Sequence, residues 1–194
     1  TATTEIYTLS LHDALPIYFG KDACVLSSDP ITGAVNEVGR LAVHISCNDV
    51  ASCGVEPIGL LVTILAPPGT TESDLSVVMG QISDTGYALG VDIIGGHTEI
   101  TSAVNRFVII STAVGKVLKD KLVTTSGARP GDYVVMTKTA GIEGTAIIAA
   151  DKEEELVKAL GREVTDKAKS FINSISAVKD GVVAGRFGVN SMHD

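Results

Sequence analysis

The chain has 194 residues, a net charge of −8 and 45% hydrophobic residues, enough to bury one good core, or one core plus part of a second. With 20% charged residues and a positive mean hydropathy, the composition is globular and not disordered. The basic residues are few and form no run, which argues against a nucleic-acid face, because phosphate-backbone binding needs a clustered cationic surface. No apolar run reaches the roughly 20 residues needed to span a bilayer. Cys24, Cys47 and Cys53 make no C-x-x-C pair, so they predict small buried hydrophobes in a reduced, cytoplasmic protein and no zinc site.

In chain order, Ala23 to Ser28 is a short apolar run that predicts a strand, and Ile31 to Val35, with Thr32-Gly33, predicts a turn. From Val38 to Cys53 the apolar residues Val38, Leu41, Ala42, Ile45 and Val50 have the spacing of a helix with one buried face. Gly54 and then Pro57 end that helix. Ile58 to Ala66 is continuously apolar and predicts a central strand, stopped by Pro67-Pro68-Gly69. Thr71 is placed to cap a second helix, with acidic residues in the first turn to suit the helix dipole. Leu75, Val78, Met79 and Ile82 form its inward stripe, and it should end near Gly90.

Val91 to Ile94 predicts a strand that delivers Gly95-Gly96-His97-Thr98-Glu99, and Phe107 to Val117 predicts another. The alternation predicts a sheet with helices packed against it, in a first unit that closes at a boundary near Leu118 to Lys121. Beyond it, Ser126 to Asp132 predicts a tight turn into a strand from Tyr133 to Lys138. Helices are then expected from Gly141 through Ala150, from Glu153 to Leu160 and from Asp166 to Val178, in a second unit that begins but is not completed.

Four stretches put a carboxylate or small polar group beside a glycine or at an element's end. In Gly20-Lys21-Asp22-Ala23, Asp22 suits a metal and Lys21 a phosphate, although an ordinary solvated loop explains both. In Ser27-Ser28-Asp29-Pro30, Asp29 is a candidate ligand, and a turn-initiating Asp-Pro is the simpler account. Asn48 and Asp49 lie inside the first helix; buried and unpaired they would cost several kcal/mol, which a metal or hydrogen bond would relieve, whereas helical phase alone also allows both to face solvent. His44, one turn earlier, reads as structural. In the fourth stretch Gly95 and Gly96 let backbone approach a phosphate, while His97, Thr98 and Glu99 offer metal or hydroxyl contacts.

Together GKDACVLSSDPITG, GRLAVHISCNDVASCGVEP, DIIGGHTEIT, LVTTSGARPGDYVVMTKTAG and GVNSMHD resemble the aminoimidazole ribonucleotide (AIR) synthetase superfamily from Phe19 to Asp194. Within it the Asn48-Asp49 helix followed by Gly54 and Pro57 looks most like the branch containing the hydrogenase maturation factor HypE. The resemblance implies a PurM-like α/β N-terminal domain over residues 18–118, its mixed sheet completed by homodimerisation, and the start of an α+β C-terminal domain over 119–194. It implies an ATP-dependent enzyme that activates a carbonyl, amide or thiocarboxamide oxygen by phosphorylation, with Mg2+ and a hydrogenase-maturation partner protein. Alternatives are a small-molecule kinase or ligase of the thiamine-monophosphate kinase or selenophosphate synthetase type, or a non-catalytic nucleotide-binding dimeric scaffold. By position, Lys21, Asp22, Asp29, Asn48, Asp49, Gly95, Gly96, His97 and Thr98 would bind the cofactor, and Asp22, Asp29, Asp49, Glu99 and Asp194 the metal. His97 stands where the superfamily carries an acid, and a neutral imidazole is a poorer magnesium ligand than a carboxylate.

Residues 1–17, TATTEIYTLSLHDALPI, resemble the in-frame translation of a sequencing-library adaptor. They are expected to be a non-native tail, with the natural sequence starting near Tyr18 and the other end cut at Asp194.

Overall fold

A computed structural model describes residues 15–33 and 36–194. Five strands form one mixed sheet: β1 (Leu15–Phe19), β2 (Asp22–Ile31), β3 (Pro57–Ala66), β4 (Asp92–Ile100) and β5 (Val108–Leu118), in the order β1-β2-β5-β3-β4. Every pairing is antiparallel except β3 with β4, whose parallel register is reached by a helical crossover. Three residues of the adaptor-like stretch, 15–17, pair in β1 with Cys24–Leu26 of β2; residues 1–14 lie outside the described residues.

Helix α1 (Val38–Ser52) crosses one face of the sheet against β2 and β5, and α2 (Glu72–Leu89) packs on α1. The core lies between α1 and the sheet, where Val25, Leu41, Val43, Val50, Leu60 and Ile109 are buried. Ser46 and Ser111 are buried with them, and each satisfies the other: Ser46 Oγ lies 2.7 Å from Ser111 Oγ, and Ser111 Oγ donates 2.5 Å to the Ala42 carbonyl. The sheet's opposite face is open, with Ile58 55% and Leu61 45% exposed. As the sequence implies, Thr71 caps α2 through a full capping box with Asp74, and α2 ends at left-handed Gly90.

Beyond β5 the longer elements among the described residues are helices: α3 (Ile142–Asp151), α4 (Glu153–Leu160), α5 (Arg162–Ser170), a 3-10 turn (Phe171–Ser174) and α6 (Val178–Phe187). Helices α3 to α5 pack on one another, and α6 packs on α1.

Four expectations need correction. The strand over Tyr133–Lys138 is not formed; the segment pairs with no strand, and Tyr133 and Val134 are almost wholly exposed. β-propensity needs a neighbouring strand to act through, and among the described residues none lies beside this segment. The helix over Asp166–Val178 is two helices, broken at Ser170 and restarted at Val178, with the chain between them held by side chains of α1. The strand at Ala23–Ser28 runs on to Ile31, so Asp29-Pro30 lies inside it and makes no turn. Pro30 lies inside the ladder of β2 with β5, opposite Ile110, and beyond the part of β2 that pairs with the described residues of β1. The strand at Val91–Ile94 continues through Gly95–Glu99, so the glycine pair is paired strand and not a terminal loop.

Candidate functional site

Period-2 alternation places Ser27 and Asp29 on the helix-covered face of β2, directly beneath α1. Helix α1 turns Asp49 onto the same point, and both alternatives left open by helical phase resolve to burial: Asn48 and Asp49 are each 7% exposed. Ser27 Oγ donates to Asp49 Oδ2 at 2.5 Å and lies 3.2 Å from Asp29 Oδ2. A hydroxyl has one proton, so it serves one carboxylate at a time. Burial pushes the Asp49 carboxyl up to about 8; a hydrogen bond to Asp29 and the charges of Asp194 and Asp29 act in the same direction, and the Ser27 hydroxyl acts against them.

Asp194 lies beyond α6, so the charges that act on Asp49 come from segments far apart in sequence. Glu143, in the first turn of α3, is also raised, by burial and by Asp194. Sequence reading passed over Ser27 and Glu143. Ser27 was visible as the residue two before Asp29, hence on its face of the strand; Glu143 carried no signal beyond its place at the start of a helix.

Asn48 is engaged elsewhere: its Nδ2 donates to the Ile175 carbonyl at 2.9 Å, and its Oδ1 accepts from the Ala177 N–H at 2.7 Å. The buried Nδ1 of His44 meets no hydrogen-bond partner among the described residues. Cys47 and Cys53 are buried as expected, while Cys24 is only half-buried. Burial, then Asp49, pushes the Cys47 thiol up to about 12, which keeps it an inert thiol.

The other expected ligands do not join this focus within one chain. Asp22 begins β2 whereas Asp29 lies near its end, seven residues or roughly 23 Å along a strand. Asp22 faces the open side, 3.3 Å from Lys116 Nζ, and Lys21 sits in the exposed turn before it. His97 and Glu99 pair in register with Thr63 and Leu65, also on the open side, with His97 Nε2 3.7 Å from Glu99 Oε2. Asp29, Ser111, Val62 and Gly96 occupy one row across four strands, so the glycine pair lies level with the acids but at the sheet's far edge. A Cβ on Gly96 would stand 1.9 Å from the Val62 carbonyl oxygen. Close strand pairing therefore requires that glycine independently of any phosphate.

Asp29 and Asp49 fit a magnesium ion by donor chemistry: two hard carboxylates joined through Ser27, one of them held protonated chiefly by its burial. Among the described residues no group of three His, Cys, Asp or Glu is arranged to hold a metal. A pair suffices for magnesium, which keeps waters and takes the rest of its shell from phosphates.

The model of the AIR synthase related protein N-terminal domain matches residues 11–117. The chain belongs to the AIR synthase related family. A Methanocaldococcus jannaschii protein assigned to hydrogenase expression and formation is 26% identical over 190 residues, covering 95% of this chain and 54% of that protein. Carbamoyl dehydratase HypE of Cupriavidus necator is 32% identical over 137 residues, covering 70% of this chain and 38% of that protein. This AIR synthase related chain thus spans about half the length, or less, of these relatives. Thiamine monophosphate kinase from Aquifex aeolicus superposes with a TM-score of 0.78 at 17% identity, covering 98% of this chain and 66% of that one. HypE in complex with ATP superposes at 0.59 and 28% identity (74% and 45% covered), and the HypE–HypF complex at 0.65 and 25% (79% and 54%). The PurM-like fold and the HypE branch expected from sequence both stand. No helix among the described residues is long and apolar enough to cross a membrane.

Proposed function

We propose that this chain is the ATP-handling part of a HypE-type enzyme, which uses magnesium–ATP to phosphorylate and so activate a carbonyl, amide or thiocarboxamide oxygen. The observation that carries the reading is the buried Ser27–Asp29–Asp49 focus, on which the charge of Asp194 acts. Asp29 and Asp49 would hold the ion, which when bound supplies positive charge against the phosphates. The chain's own part is positional. Ser27 fixes the Asp49 carboxylate, burial under α1 limits water, and the charge of Asp194 bears on Asp49. The open sheet face, with Ile58 and Leu61 exposed, supports a homodimer in which Asp22, His97 and Glu99 meet a second copy. The kinship with HypE, solved together with HypF, supports a hydrogenase-maturation partner.

His97 in place of an acid favours a second reading, a nucleotide-binding scaffold that does not turn ATP over. Calorimetry of ATP binding to this chain, with magnesium and with EDTA, tests the site. Asp49→Asn should weaken magnesium-dependent binding about tenfold, or about 1.4 kcal/mol. Equal affinity in the variant contradicts the assignment. ATP hydrolysis by the longer parent, with and without magnesium, separates enzyme from scaffold.

A further inference from the structure

Asn48 precedes the acid at the centre of the proposed site, yet its amide is spent on the second unit. Nδ2 donates to the Ile175 carbonyl (2.9 Å) and Oδ1 accepts from the Ala177 N–H (2.7 Å), so one planar side chain spans the turn between the 3-10 segment and α6. Only a side chain with a donor and an acceptor on one fork can satisfy both groups; aspartate would turn an oxygen toward a carbonyl, and serine is too short. The same turn is gripped from the other side, where Lys138 Nζ contacts the Ser176 carbonyl and pairs with Asp180 Oδ2 at 2.7 Å. Immediately after the turn α6 lies on α1 with no slack: a Cβ on Gly181 would stand 2.2 Å from the Ala51 carbonyl oxygen. The chain runs on from this turn through α6 to Asp194.

We propose that Asn48 is a positioning residue: by fastening the 175–177 turn to α1 it sets α6, and the segment that follows it to Asp194, against the helix that carries Asp49. This rests on the magnesium–ATP reading of that acidic focus. Its effect on the metal is indirect, as with groups that orient a ligand without touching the ion, whose loss typically costs about 10–100-fold in metal affinity.

The test compares Asn48→Asp with Ile82→Ala, a core variant on α2 that leaves both Asn48 hydrogen bonds in place. Hydrogen exchange, which needs no ligand, should show residues 175–177 exchanging about tenfold faster in Asn48→Asp and unchanged in Ile82→Ala. Calorimetry should show magnesium-dependent ATP binding about tenfold weaker in Asn48→Asp, with ATP binding in EDTA within about twofold of the parent chain. Loss of binding in Asp49→Asn without loss in a folded Asn48→Asp overturns the positioning role and leaves the site standing. A parent chain that binds no magnesium–ATP overturns the site and the role together. Should Asn48→Asp fail to fold, Lys138→Met loosens the same turn from its other side. It must weaken binding in magnesium and spare binding in EDTA, and unchanged binding in both overturns the proposal.

Discussion

Gly181→Val is expected to destabilise the chain by about 3 kcal/mol, the upper range for forcing extra atoms into a packed contact. At this chain length that lowers the thermal midpoint by about 10 °C. The reason is geometric. A Cβ at Gly181 would meet the Ala51 carbonyl oxygen at 2.2 Å and its carbon at 2.7 Å, and one at Gly185 would meet Gly54 Cα at 2.5 Å. These neighbours are backbone and cannot swing aside as a side-chain end would, so α6 must move off α1 as a body. Gly80 provides the contrast. It lies within α2, and a methyl group there would meet nothing within 4 Å, so Gly80→Ala should stabilise by about 0.5–1 kcal/mol. Thermal denaturation followed by circular dichroism measures both. A Gly181→Val midpoint within about 2 °C of the parent would show that α6 does not sit against α1 as described.

Local chemistry made much of this architecture legible. Helices α1 and α2 declared themselves by apolar spacing and by stop signals that match the structure: Gly54 takes φ +75°, Gly90 takes φ +70°, and Thr71 caps as its residue type predicts. Strands β3 and β5 were equally plain, because a continuous apolar run or a β-branched run in a sheet centre has few other uses. What stayed hidden depends on partners distant in sequence. Tyr133 to Met136 have strand-like side chains but no adjacent strand among the described residues, and composition cannot report a missing neighbour. Before α6 starts at Val178, Asn48, over a hundred residues earlier, captures the backbone at Ile175 and Ala177. The same limit governs the site. Asp29 and Asp49 were recognisable as candidates, and their meeting through Ser27 follows from strand parity. Asp22, His97 and Glu99 were grouped with them by likeness alone, and strand register puts them on the sheet's other face.

Replacing His44 should remove an acid-sensitive part of the folding stability worth up to about 3 kcal/mol. Burial, then the charges of Arg40 on its own helix and Lys138 from the second unit, push this imidazole down from 6.5 to about 4. Its Nδ1 has no hydrogen-bond partner among the described residues, so protonation would place a charge beside two cations with nothing there to receive it. The unfolded chain therefore binds the proton more readily than the folded one between pH 6.5 and 4. Stability rises with pH through that window and is flat for this group above it. Asp49 has the opposite sign: raised to about 8, it holds its proton longer in the folded state, so its contribution falls as pH rises toward 8. The two slopes oppose each other between pH 4 and 6.5, and the parent curve alone would conceal both. The difference between the parent and His44→Gln isolates the imidazole, because Asp49 is common to the pair. Urea denaturation at intervals from about pH 4 to 7.5 should show His44→Gln gaining on the parent as pH falls, with the gain confined below about 6.5. A difference independent of pH would mean that His44 takes up its proton as readily folded as unfolded, and that the junction of Arg40, Lys138 and α1 is open to water.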